Sequence, residues 1–185
     1  KDIMSPMVAI GVNVDIKPGV GPVFDTPIHR IEDIERLHAF DATKVEYIAK
    51  TIELLTTEVL EVPLIGFCGA PFTIASYLIE GGPTKSYNKT RGMLISEPEI
   101  WNGLMGKLAD MSIEYLTMQA RAGANALQIF DSWVGAVNSA EYEQAIFPHM
   151  KRIISTVKSR FPNLPLAMNG VGTDHLVSTW AKLPL

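Results

Sequence analysis

The chain has 185 residues, 47% of them apolar, and 16 Lys plus Arg against 20 Asp plus Glu give a formal charge of −4. That is the composition of a folded protein with a substantial core. The mixed-sign charge offers no basic stripe for a nucleic-acid backbone, and the longest apolar run, around Val62 to Phe67, falls well short of the roughly 18 residues that span a membrane.

From the start, Lys1 stands without an initiator Met, and no basic segment followed by an apolar one comes after it. The opening therefore reads as neither a signal peptide nor a natural amino terminus. Val12, Val14 and Ile16 alternate, Pro18-Gly19-Val20-Gly21 breaks the run, and Pro22-Val23-Phe24 follows, which predicts a strand pair joined by a turn. Ile31, Ile34 and Leu37 mark a short helix. Val45, Ile48, Ile52, Leu55 and Val59 mark a second one, opened by a Thr43-x-x-Glu46 capping box. Pro63 to Cys68 is a continuous apolar run, the pattern of a strand covered on both faces. Phe72 to Ile79 predicts a helix ending at Gly81-Gly82-Pro83, and Thr84 to Arg91 reads as a polar loop with Lys85, Lys89 and Arg91.

A long helix is expected from the Ser96-x-x-Glu99 box, with Ile100, Leu104, Leu108, Met111, Tyr115 and Met118 along one stripe. Ala126 to Phe130 and Pro165 to Met168 are further strands, with one helix over Ser139 to Phe161 between them and another over Asp174 to Leu183. Strands alternating with helices imply an α/β protein with parallel strands and right-handed crossovers. The pattern fits either a small open sheet or part of a (β/α)8 barrel, which as a whole takes about 250 residues. No repeat or shift in composition divides the chain, so residues 1–185 read as a single domain.

In such folds ligands meet the carboxyl ends of strands. Three clusters lie there: Gly66 to Ala70, Phe130 to Trp133, and Asn169 with Gly170 and Gly172. The glycines allow a ligand close to the backbone, though tight helix–strand packing is the commoner use. Asp131-Ser132 offers an acceptor and a donor, but on local sequence it caps its own loop. Tyr77 follows Thr73 by one helical turn, so its hydroxyl can reach the same region. Lys85, Lys89 and Arg91 could hold carboxylates, with a solvated face as the default. Gly170-Val171-Gly172 has His175 where a dinucleotide fingerprint needs its third glycine, and His29, His38, His149 and His175 lack metal-ligand spacing. No metal site is expected, and neither Gly-x-Ser-x-Gly nor a Walker loop is present.

The run from Val62 through Gly66-Phe67-Cys68-Gly69-Ala70-Pro71-Phe72-Thr73 to Glu80-Gly81-Gly82 resembles a signature of the uroporphyrinogen decarboxylase family. So do Ala126 to Gly135, the opening Lys1-Asp2-Ile3-Met4, and Gly19-Val20-Gly21-Pro22. The resemblance implies roughly half of a (β/α)8 barrel, acting in the cytoplasm without metal or organic cofactor on uroporphyrinogen in heme and tetrapyrrole biosynthesis. By the same resemblance Asp2 matches the catalytic carboxylate, Tyr77 and Ser132 match substrate-binding residues, and Phe130 lines the pocket. It implies a homodimer, an Arg-rich substrate motif before Lys1 and a substrate-binding His beyond Leu185. Asp131 and Trp133 receive no role. The isolated segment, net negative with few basic residues at its strand ends, is expected to bind a polyanionic substrate weakly and to associate through uncovered sheet edges. Two other readings stay open: a corrinoid-linked zinc methyltransferase of the same fold, and a non-catalytic β/α interaction module.

Overall fold

The computed structural model describes residues 2–185. The alternating segment near the start forms an antiparallel pair, β1 (Asp15–Lys17) and β2 (Gly21–Val23), with Asp15 opposite Val23. A 3-10 turn (Ser5–Ile10) precedes it, and its buried face (Pro6, Met7, Ala9, Ile10) joins the main core. Two helices follow, α1 (Ile31–Glu35) and α2 (Glu46–Leu54). The expected cap at Thr43 lies elsewhere. Asp41 accepts the Thr43 amide at 3.0 Å, starting a 3-10 turn (Ala42–Val45) that leads into α2. Beyond Leu54 the helix loosens into a π turn (Leu55–Val59).

The three core strands are β3 (Ile65–Gly69), β4 (Ala126–Asp131) and β5 (Leu166–Gly170). They form one parallel sheet in the order β3-β4-β5, with Ile65 opposite Ala126 and Leu127 opposite Leu166. Helix α3 (Pro71–Glu80) leaves β3, and the crossover to β4 runs on through α4 (Asn88–Ser96) and α5 (Pro98–Arg121). Helices α6 (Ser139–Ala145) and α7 (Phe147–Arg160) return from β4 to β5, and the short α8 (Val177–Trp180) follows β5. Strand order follows chain order, so every crossover steps the same way and the helices share one face. A doubly wound sheet needs a reversal of direction; successive units of a closed barrel do not.

Further expectations change along the chain. The segment read as a polar loop becomes helical from Asn88, because Glu80 accepts both the amide and the hydroxyl of Thr90 at 3.0 Å and draws the chain back over α3. The single helix over 139–161 breaks at Ile146, with Pro148 in the first turn of α7; Asn138 and Glu141 form a capping box for α6. The Ser96 box does not form: Glu97 caps α5 without a side-chain hydrogen bond.

Within residues 2–185 the helices cover one face of β3. Along β4, Leu127, Ile129 and Asp131 are buried against the helices while Ala126, Gln128 and Phe130 are only half-buried. On the same open face Ile65 is 55% exposed, and Ala167 and Asn169 are exposed. The helix-covered face carries the core. Trp101, Leu104, Leu108, Met111, Tyr115 and Leu116 of α5 are buried there, each large apolar side chain contributing roughly 1.5–3 kcal/mol.

Gly66 sets the distance between α5 and β3. A Cβ there would lie 3.0 Å from Gln119 Oε1 and 3.2 Å from Ala124 Cβ. With no Cβ in the way, the Gln119 amide meets the β3 backbone, accepting the Phe67 N–H at 3.0 Å and donating to the Phe67 carbonyl at 2.9 Å. Of the two uses open to Gly66, tight helix–strand packing is the one realised.

Gly135 joins the loops after β4 and β5. A Cβ on Gly135 would collide with the Val171 carbonyl oxygen and lie 2.8 Å from that of Gly172, both backbone atoms with no rotamer to yield. Gly135→Ala should lower stability by about 2 kcal/mol or more, read as a lower urea midpoint with unchanged slope. A midpoint equal to the wild type would show that the two loops separate freely.

Candidate active site

The carboxyl ends of β3 and β4 are pinned to each other and to the first turn of α3. The Ala70 amide donates to the Phe130 carbonyl at 2.8 Å, carrying the ladder one step past the strands. The buried Thr73 hydroxyl donates to Asp131 Oδ1 at 2.9 Å and accepts the Trp133 amide at 3.2 Å. The loop after β4, with Ser132 at its start, is thus held against α3.

This arrangement corrects the reading of Asp131 as a loop cap. Asp131 follows the strand alternation onto the helix-covered side, where it is fully buried. Burial pushes its carboxyl up to about 7, while the hydrogen bonds from Thr73 pull the other way. Its Oδ2 has no hydrogen-bond partner among the described residues. Nearby Tyr142 is raised well above the usual phenol range, first by burial and then by the Asp131 charge.

The Tyr77 ring stacks on Trp133, centroids 3.9 Å apart and planes inclined by 26°, so Tyr77 and the Ser132 loop come together. Tyr87 meets the same indole edge-on at 5.4 Å. Burial raises the Tyr77 hydroxyl above its ordinary value, which keeps it a neutral hydrogen-bond donor at physiological pH. Ser132 is half-buried. Phe130 lies on the open face, in edge contact with Phe67 of β3 at 5.7 Å and 82°.

Asp2 is exposed beside this region. Its neighbour Ile3 packs at the end of β3, where a Cβ on Gly69 would lie 3.1 Å from Ile3 Cβ. Asp2 Oδ1 accepts the Met4 amide at 2.7 Å, and the Asp2 amide donates to Ser5 Oγ at 3.0 Å, which fixes the carboxylate direction. Its charge also contributes, after burial and Cys68 and Tyr47, to raising Tyr115 on α5. No hydrogen bond, ion pair or ring contact among the described residues joins Asp2 to Tyr77, Phe130 or Ser132.

Other sequence candidates fall away. Arg91 pairs with Glu141 at 2.9 Å, and His175 meets the Val137 carbonyl at 2.8 Å. Gly170 to Gly172 leads into a 3-10 turn (Asp174–Leu176), not the long helix that a dinucleotide site needs. Among the described residues no three His, Cys, Asp or Glu side chains gather into a metal-ligand group, and no helix is long and apolar enough to cross a membrane. Sequence reasoning missed the Tyr77–Trp133–Tyr87 cluster. The only local hint was the paired aromatic and hydroxyl residues at strand ends.

Comparison with known proteins bears on all of these features. The chain is 56% identical to the uroporphyrinogen decarboxylase of Bacillus pumilus (strain SAFR-032) over 186 residues, covering 100% of this chain and 52% of that protein. It is 56% identical to that of Geobacillus sp. (strain WCH70), covering 53% of it, and 55% identical to that of Bacillus cereus (strain AH820), again covering 53%. The chain thus spans about half the length of the curated relatives it matches. Among solved structures, a methyltransferase from Methanosarcina mazei superposes with a TM-score of 0.75 over 97% of this chain and 52% of its own, at 15% identity. That likeness shows the fold alone: the parallel sheet and its helices are part of a (β/α)8 barrel. Residues 1–185 match the family described as uroporphyrinogen decarboxylase (URO-D) from end to end, and the chain belongs to that family.

Proposed function

We propose that the whole protein decarboxylates the four acetate side chains of uroporphyrinogen to give coproporphyrinogen, and that this chain supplies Asp2, Tyr77, Ser132 and Phe130 to the site. The observation that carries this reading is identity of 55–56% over the full chain with curated uroporphyrinogen decarboxylases. The methyltransferase likeness, at 15% identity, gives no comparable support to methyl transfer.

Loss of carbon dioxide from an acetate arm would leave an unstabilised carbanion. Protonating the adjacent pyrrole carbon first makes a cationic ring that takes up the electron pair as the C–C bond breaks. A proton then reaches the resulting methylene carbon and completes the methyl group. The proton first added to the pyrrole carbon leaves, so the ring regains its aromatic form and each arm takes up one proton net as it releases one carbon dioxide. Asp2 has one oxygen engaged by the Met4 amide, so its direction is fixed while its charge stays available. A carboxylate so held accepts pyrrole N–H groups and stabilises the ring cation as it forms. Tyr77, kept neutral by burial, and Ser132 donate to substrate carboxylates, and Phe130 presents an apolar wall to the macrocycle. The same reading places the protein in the cytoplasm as a homodimer.

Anaerobic incubation of the whole protein with uroporphyrinogen tests this directly. Coproporphyrinogen with release of four carbon dioxide per tetrapyrrole is the expected result. Unchanged uroporphyrinogen, together with methyl transfer from a methylcorrinoid to a thiol, would replace this reading with the other.

A further inference from the structure

Trp133 and Tyr87 have no role in the chemistry just described, yet they surround the one phenol that does. Trp133 is tied to α3 twice: its amide donates to Thr73 Oγ1 at 3.2 Å, and its indole stacks on Tyr77 at 3.9 Å. Thr73 and Tyr77 are four residues apart, so both ties lie on one face of the helix. Thr73 is itself held by the buried Asp131. Against the indole edge stands Tyr87, at φ 53°, the only residue other than glycine with a positive φ among the described residues. A β-carbon residue reaches that conformation at a cost in free energy, and such strain collects where a side chain must be aimed. Thr84 Oγ1 supports it by accepting the Ser86 and Tyr87 amides at 3.2 and 3.4 Å.

We propose that Trp133 is a positioning residue that sets the direction of the Tyr77 hydroxyl, with Tyr87 packed edge-on against the indole. The inference rests on the reading of Tyr77 as a substrate-binding residue. A free phenol on a helix turns about two side-chain torsions. The indole face removes most of that freedom, so the hydroxyl meets a substrate carboxylate already aligned. The loop that carries Ser132 and the helix that carries Tyr77 then present their two hydroxyls in fixed relation.

The test is a double-mutant cycle on uroporphyrinogen decarboxylation by the whole protein. Trp133→Leu keeps apolar bulk but offers no ring face, and should lower kcat/KM about tenfold with an unchanged thermal midpoint. Trp133→Phe restores a face and should stay within about threefold of wild type. In a Tyr77→Phe background, Trp133→Leu should cost less than about twofold, because the hydroxyl it aims is gone; a purely structural residue would cost the same in both backgrounds. Tyr87→Gly keeps the cycle decisive should Trp133→Leu fold poorly: glycine accepts the positive φ, so stability should hold while kcat/KM falls about threefold. Equal costs in both backgrounds, or full activity in Trp133→Leu and Tyr87→Gly, would overturn the inference while the active wild type keeps the functional reading intact. A wild type that leaves uroporphyrinogen unchanged would overturn both.

Discussion

Replacing Asp2 by Asn in the whole protein should reduce turnover of uroporphyrinogen at least a hundredfold while KM changes only a few-fold. The substitution isolates charge from geometry. Asn keeps a side-chain oxygen for the Met4 amide, now 2.7 Å from Asp2 Oδ1, and the Asp2 amide still donates to Ser5 Oγ, so the turn that aims the side chain survives. On the proposed reading, the charge that disappears is the one that stabilises the developing ring cation. Fixed groups of this kind are worth about 2.7–4 kcal/mol of barrier each, and a hundredfold loss is the lower end of that range. On the same reading the substrate's carboxylates are held by other groups, so KM should be largely spared. Asp2→Ala should match Asn in turnover and lose some local order in the Ser5–Ile10 turn as well. Near-normal turnover in both variants would remove Asp2 from the mechanism.

The second large effect concerns stability. Asp131 titrates near 7 in the folded chain against an ordinary value of 3.8, chiefly because burial penalises its charge. The folded state therefore holds a proton that the unfolded state has released between those two values. Stability contributed by this group is complete below pH 3.8, falls as pH rises through the window, and is lost above about 7. A shift of this size corresponds to about 4 kcal/mol. Asp131→Asn removes the titration and leaves an oxygen to accept the Thr73 hydroxyl. The variant should gain on the wild type from about pH 4 to about pH 7 in urea unfolding, level off above that, and be the more stable protein at the alkaline end. A difference that stays constant across that range would mean Asp131 keeps its charge throughout, compensated by groups other than Thr73.

The elements readable in the sequence were those whose signal is carried by apolar spacing. The runs read at Pro63–Cys68, Ala126–Phe130 and Pro165–Met168 fall on strands β3, β4 and β5 to within two residues, and of the stripe from Ile100 to Met118 the residues from Leu104 to Tyr115 are buried on α5. What escaped was decided by contacts distant along the chain. The polar stretch after Gly82 gives no periodic signal, and it is Glu80 that gathers Thr90 into a helix. Asp131 looked like a loop residue from its neighbours, but strand alternation turns it inward to Thr73, 58 positions earlier. At the site, the family signature pointed to Tyr77 and Ser132. It said nothing of the indole stacked on Tyr77, because a ring stack across two βα units leaves no mark in either local sequence.

The strictly sequential order of the sheet also shapes how the chain reaches it. Pairing β4 with β3 closes 61 positions, from Ile65 to Ala126, and pairing it with β5 closes 39, from Leu127 to Leu166. The entropic penalty of closure grows only with the logarithm of length, so the two events differ by ~0.4 kcal/mol. Neither is favoured by tether length. Among the described residues β4 has a ladder on both sides, so tether length leaves either pairing free to form first.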